Sequence, residues 1–299
     1  MLIITGNSWY AQQVNGLPVA VAAEPTISKD HQVLRPMLDA HSIESVTLTC
    51  EYDGDINSAG LSVIKEEASR LKLKYQNRRI ARRPSGQGDS FNSEQADILG
   101  YSFLSRNSEK DLSKFDIVND NSNATSFAYT NFKSFLADIL FSLEIAHKAF
   151  SKSERKLEKI VLSYSNSFLA DNAEQIHNSI RVGSPYVASA CLDKTNFWHS
   201  RIGFFSNDPY EYPLVLHNLE VTHKLLKGEG EEFEDGGLHT HQLQIDNHHV
   251  ISVSDTVSVD EFSKYVEARA YELKNKHVEI FSGVLKDEVL SMIGLSKDR

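Results

Sequence analysis

The stretch Ile43-Glu-Ser-Val-Thr-Leu-Thr-Cys50 can be laid over Leu157-Glu-Lys-Ile-Val-Leu-Ser-Tyr164. Both run apolar, Glu, polar, β-branched, β-branched, Leu, hydroxyl. Alternating β-branched and apolar residues predict a half-buried strand in each place. The segments downstream of the two strands are also alike. After the first come a short helical pattern over Leu61–Leu71 and strand-like runs at 73–81, 98–104, 115–118 and 125–129. Asn119–Asn123 reads as a turn-rich break. After the second come runs at 186–191, 197–205, 214–225 and 238–253.

Each series ends in an amphipathic helix. Phe132, Phe135, Leu136, Ile139, Leu140, Leu143 and Phe150 repeat at helical spacing, with Thr130 and Asn131 available as caps. Phe262, Tyr265, Val266, Arg269, Leu273, Ile280, Phe281 and Val284 do the same over Val259–Leu285, and Val289, Met292 and Ile293 mark a final turn. The pattern predicts an α+β protein of two related halves. Each would be an antiparallel sheet covered by a long amphipathic helix, in a saddle-like or helix-grip-like arrangement. The expected boundaries are an N-terminal extension over 1–42, with an edge strand near Val19–Ala23, a first half over 43–155 and a second over 156–299, the halves packed as one unit.

Composition narrows the function classes. The 299 residues are 40% hydrophobic and 24% charged, a globular balance. Net charge is -10, and it is uneven: residues 1–155 carry 17 basic and 19 acidic side chains, residues 156–299 carry 14 and 22. So acidic a second half argues against nonspecific nucleic-acid binding there. The two cysteines, Cys50 and Cys191, each end an apolar run, which predicts small buried hydrophobes in strands and no disulfide framework. The start of the chain lacks the pattern of a signal peptide, and no window approaches the ~20 apolar residues of a membrane span. A cytoplasmic protein is expected.

Gly100-Tyr-Ser-Phe-Leu-Ser-Arg106, Phe115 to Tyr129, Asn131-Phe-Lys-Ser-Phe135 opening a long helix, and Leu162-Ser-Tyr-Ser-Asn166 carry a resemblance. So do Leu273-Lys-Asn-Lys-His277, Phe281, Leu285 and Val289-Leu-Ser-Met-Ile-Gly294. From about Ile43 to Gly294 the chain resembles a sporadically distributed bacterial family of uncharacterised proteins. The family's usual proline near the first strand is absent here. The resemblance implies a mobile-element-like distribution and a role in conflict or phage defence; it supplies no catalytic residues.

Three constellations carry candidate chemistry. Of twelve histidines, six fall between His217 and His249. If 214–225 and 238–245 form a symmetric hairpin, His223 faces His241, and His217, His223, His239 and His241 could hold a divalent metal. The plainer expectation is exposed or singly bonded imidazoles, with no nearby Cys to complete a zinc pattern. Arg78, Arg79, Arg82 and Arg83 form a basic patch before the Pro84–Gly88 loop, suited to phosphate, nucleic acid or an acidic partner, or simply a solvated face. Glu229–Asp235 is an acidic hairpin tip on which Phe233 could anchor a partner. No nucleophile elbow, His-Glu-x-x-His, dinucleotide fingerprint or paired-carboxylate signature occurs.

These features favour a non-catalytic interaction, sensor or scaffold subunit of a bacterial multi-protein system, with a protein partner, no membrane and no cofactor. The alternatives are a nucleic-acid-binding accessory protein using the arginine patch and a metal-dependent hydrolase on the histidine hairpin.

Overall fold

In a computed structural model, residues 9–14, 17–22, 34–37, 42–82, 98–108, 110–192, 197–206, 214–226 and 240–295 are described. In chain order the elements of the first stretch are strands β1 (Trp9–Val14), β2 (Leu17–Ala22), β3 (Arg35–Pro36) and β4 (Ile43–Tyr52), then helices α1 (Ser58–Glu66) and α2 (Ala68–Lys74). Strands β5 (Asn77–Arg82), β6 (Ile98–Arg106), β7 (Asp111–Val118) and β8 (Asn121–Ser126) lead to α3 (Phe132–Lys152). Next are β9 (Leu157–Ala170), α4 (Ala173–Ser179), α5 (Ser189–Leu192), β10 (Trp198–Phe205), β11 (Val215–Leu226) and β12 (Thr240–Ser252). The closing helices are α6 (Val259–Val284) and α7 (Asp287–Met292).

The two opening strands of the sequence pattern pair with each other. Strand β4 lies antiparallel to β9, with Val46 opposite Tyr164, Leu48 opposite Leu162 and Cys50 opposite Ile160. All six side chains are buried. Period-two alternation sends these residues to one face, while Thr47, Thr49 and Ser163 go to the other. The pairing corrects the expectation of two sheets: there is one ten-stranded antiparallel sheet, ordered β10-β11-β12-β9-β4-β8-β7-β6-β5, with β3 added to the end of β9. A strand whose partner on each side is another strand leaves no exposed ladder between the halves, so the sheet runs through.

Both long helices bury their apolar faces on the same side of the sheet. Helix α3 starts at Asn131, whose side chain accepts from the Ser134 amide, and buries Phe135, Ile139, Leu143, Ala146 and Phe150. Helix α6 buries Phe262, Val266, Ala270, Leu273, Phe281 and Val284. The opposite face is polar and cross-linked between strands. Thr47 bonds Thr125 at 2.9 Å, Thr49 donates to Asn123 at 2.6 Å, and Ser163 bonds His248 at 2.8 Å.

Several local expectations shift. The run at 186–191 forms the helical turn α5 instead of a strand, so Cys191 is half-buried, its thiol directed at the His199 carbonyl; Cys50 is buried in β4 as expected. The first helical pattern divides into α1 and α2, and the strand beyond begins at Asn77. The break between β7 and β8 is only Asn119-Asp120, with Asn119 at φ 55°, so Asn121–Asn123 belongs to the strand. Residues 1–33 form a unit of their own that contains the β1–β2 hairpin, two strands in place of the single expected edge strand. Among the described residues no helix is long and apolar enough to cross a membrane.

Leu143, on the inner face of α3, is fully buried. Leu143→Ala is expected to lower the unfolding free energy by about 2–5 kcal/mol, through lost transfer energy and a residual cavity. Urea denaturation measures it; an unchanged midpoint would mean that α3 does not roof the sheet.

Candidate functional site

The buried stripe of α6 includes an imidazole. Four residues beyond Leu273 and four before Phe281 stands His277, 4% exposed. Its ring stacks on Tyr164 of β9 at 3.8 Å between centroids and lies 5.4 Å from the Phe281 ring. Around it the two apolar clusters of the interior, one under α3 and one under the C-terminal part of α6, are separated by buried polar groups: Asn166, His217, Asn247 and His249.

These groups form a chain. Asn247 Nδ2 donates to His277 Nδ1 at 3.3 Å, and His249 Nε2 approaches the same atom at 3.5 Å. His249 Nδ1 meets His217 Nδ1 at 2.8 Å. An amide NH₂ can only donate, so in this orientation of the Asn247 amide Nδ1 of His277 accepts and its ring proton sits on Nε2. His249 then carries its proton on Nε2, pointing at His277, and accepts at Nδ1 from His217. Every ring donates toward His277. The buried His217 Nε2 is left as an acceptor with no partner among the described residues.

Burial keeps the chain neutral. Loss of hydration holds His277 down to about 3, helped by the nearby Lys274, and His249 down to about 2, helped by His277 and His217. His217 is held at about 4, again by burial first.

The chain ends at a cleft. It has a volume of about 460 Å³ and lies between the start of α3 and the C-terminal part of α6, with Ile293–Leu295 after α7 at its side. His277, Tyr164 and Tyr129 line it, with Lys133 from α3 and Lys274 from α6. The Tyr164 and Tyr129 hydroxyls are bonded to each other, and burial raises Tyr129 to about 12 and Tyr164 well above the ordinary tyrosine value. Asn166 forms another wall, fixed by Ser42 Oγ at 3.2 Å and by its own bond to the Ile245 carbonyl at 3.4 Å. No lining residue among those described is acidic, in a chain with 41 Asp and Glu.

The residues singled out from sequence are distributed differently. His217 and His223 lie on one strand six residues apart, roughly 20 Å at strand rise, and have different partners. His223 bonds His241 at 2.9 Å and is held at about 4 by burial and by His241 and His177. The register is shifted from the symmetric hairpin: His241 faces Leu225 across the ladder and reaches His223 diagonally. His177, from α4, stands beside them and accepts from the Trp198 indole at 3.3 Å. Far from exposed, His217 and His223 are almost wholly buried. Among the described residues no group of three or more His, Cys, Asp or Glu is placed to hold a metal ion. His239, Arg83, Phe233 and the acidic tip lie outside the described residues. The arginine patch is divided by the pleat: Arg78 stacks over Tyr101 at 5.5 Å, while Arg79 points to the opposite face of β5.

His277 is the residue that the sequence reading did not single out as a site. Its signal was present: it occupies an inward position of the α6 stripe, between Leu273 and Phe281. Comparison with family models, with curated proteins and with solved structures finds no match for this chain.

The neutral chain has a pH consequence. In the unfolded chain these histidines bind protons below about pH 6.5; in the folded chain they do so only near pH 4 or lower. Their contribution to stability is therefore complete above about pH 6.5 and is lost as pH falls toward the folded values. Each contributes a slope of up to about 1.4 kcal/mol per pH unit. Urea unfolding at about pH 7.5 and about pH 5 should show a marked loss at the lower pH, and His249→Phe should flatten it. Equal stability at both would mean the imidazoles are hydrated.

Proposed function

We propose that this protein is a non-catalytic ligand-sensing subunit of a bacterial multi-protein system, with the cleft between α3 and α6 as its ligand site. The observation that carries this reading is the cleft itself, whose 460 Å³ is of the size that encloses a small molecule. Its ionisable walls favour binding over catalysis. General acid–base work needs a group that titrates near neutral pH. Tyr129 is raised to about 12 and His277 lowered to about 3, so neither exchanges protons readily at pH 7. Ser42 is bonded to Asn166, not to a base.

The place of the cleft also suits a sensor. From the β4–β9 contact the strand orders β4-β8-β7-β6-β5 and β9-β12-β11-β10 run outward alike, and each series ends in a long helix. We read these as two related halves of one saddle-like sheet, with the cleft where their covering helices meet. A ligand there touches both halves and so biases their relative arrangement. The resemblance to a sporadically distributed bacterial family favours a defence system as the setting, with the partner encoded nearby.

The test is a thermal-shift screen of small metabolites on the intact protein and on Val278→Trp, which fills the cleft. Stabilising compounds are expected with the parent chain and should lose their effect in the variant. Compounds that stabilise both proteins equally, or turnover of any bound compound, would overturn the proposal.

A further inference from the structure

We propose, resting on the reading of the cleft as a ligand site, that its ligand is a small organic oxyanion: a carboxylate or phosphate head carried on an apolar body. Three independent features converge. The first is charge. Lys133 and Lys274 approach the cleft from the two long helices, and no acidic side chain lines it among the described residues. In a chain of net charge -10 such a site is a local exception, and it draws anions.

The second is an unpaired donor. His277 is 4% exposed and lines the cleft. Its Nδ1 is taken by Asn247 and His249, which leaves the proton on Nε2. Among the described residues nothing bonds that Nε2. That N–H opens to the cleft, where a ligand oxygen can accept from it. The donor direction of the whole imidazole chain ends at this atom.

The third is the start of α3. Phe132 and Lys133 are the first residues of a 21-residue helix and line the cleft, while the Asn131 cap serves only the Ser134 amide. Their N–H groups have no acceptor within the helix, and its dipole favours negative charge at this end. Ile43, Val278 and Leu295 supply apolar wall for the ligand's body.

The experiment compares four probes with one body and different heads: benzoate, phenyl phosphate, benzamide and benzylamine. Binding to the intact protein is followed by calorimetry and by the His277 imidazole NMR signals. At least one of benzoate and phenyl phosphate is expected to bind and to shift the His277 signals, and the comparison of the two distinguishes the head groups. Lys274→Met keeps the stem and removes the charge, and should weaken the bound anion at least about tenfold. His277→Phe keeps the stack on Tyr164 and removes the donor, with a similar loss. Should His277→Phe not fold, Lys274→Met decides. Binding of benzamide or benzylamine in preference to both anions would overturn the oxyanion class while leaving a ligand site in place. Anion binding unchanged in Lys274→Met would overturn it too. No binding of any probe at millimolar concentration would overturn it, and would overturn the ligand site as well if Val278→Trp also fails to alter the metabolite screen.

Discussion

The antiparallel pairing of β4 with β9 is the interaction on which the rest of the structure depends. It places Val46, Leu48 and Cys50 against Tyr164, Leu162 and Ile160 on one face. It also makes a single sheet of strands that would otherwise end in two open edges. Because both central strands turn the same face inward, α3 and α6 must lie on that side, next to each other. A cleft between their ends is then a consequence of the packing: α3 begins where Tyr129 and Tyr164 meet, and α6 passes over the same point with His277.

The interior carries an unusual burden for a sheet-and-helix core. His217, Asn247, His249 and His277 are all almost fully buried, and they divide the apolar interior into two clusters. Burying polar rings without full hydrogen bonding costs free energy. The chain reduces this by keeping every imidazole neutral and letting each ring serve the next. The remainder of the cost falls on His217 Nε2 and Asn247 Oδ1, which have no partner among the described residues. A Phe at these positions would cost less, so the belt is the part of the interior least explained by stability alone. Through His277 the belt reaches the cleft.

The polar face of the sheet obeys a simpler rule. Short hydroxyl and amide side chains such as Thr47, Thr125, Thr49 and Asn123 bond one another across strands. Such pairs hold neighbouring strands in register without asking for cover. The sheet can thus be buried on one side only, as an antiparallel sheet permits.

The sequence by itself determined the elements whose signals are local. Alternation marked β4 and β9, helical spacing marked α3 and α6, and Asn131 marked the start of α3, because side-chain period and capping chemistry act over a few residues. It also determined that both helices have one apolar face. It could not show that two predicted sheets are one, since strand pairing joins residues more than a hundred positions apart. The 186–191 run looked like a strand and folded as a helical turn because tertiary surroundings outweigh weak propensity over six residues. The site was decided almost entirely by tertiary structure. His217 and His223 read as neighbours on a hairpin, but the register and the covering helix gave them separate partners. His277 became the centre of the site only because α6 lies across β9 and β12, where an inward-facing imidazole meets Tyr164 and Asn247.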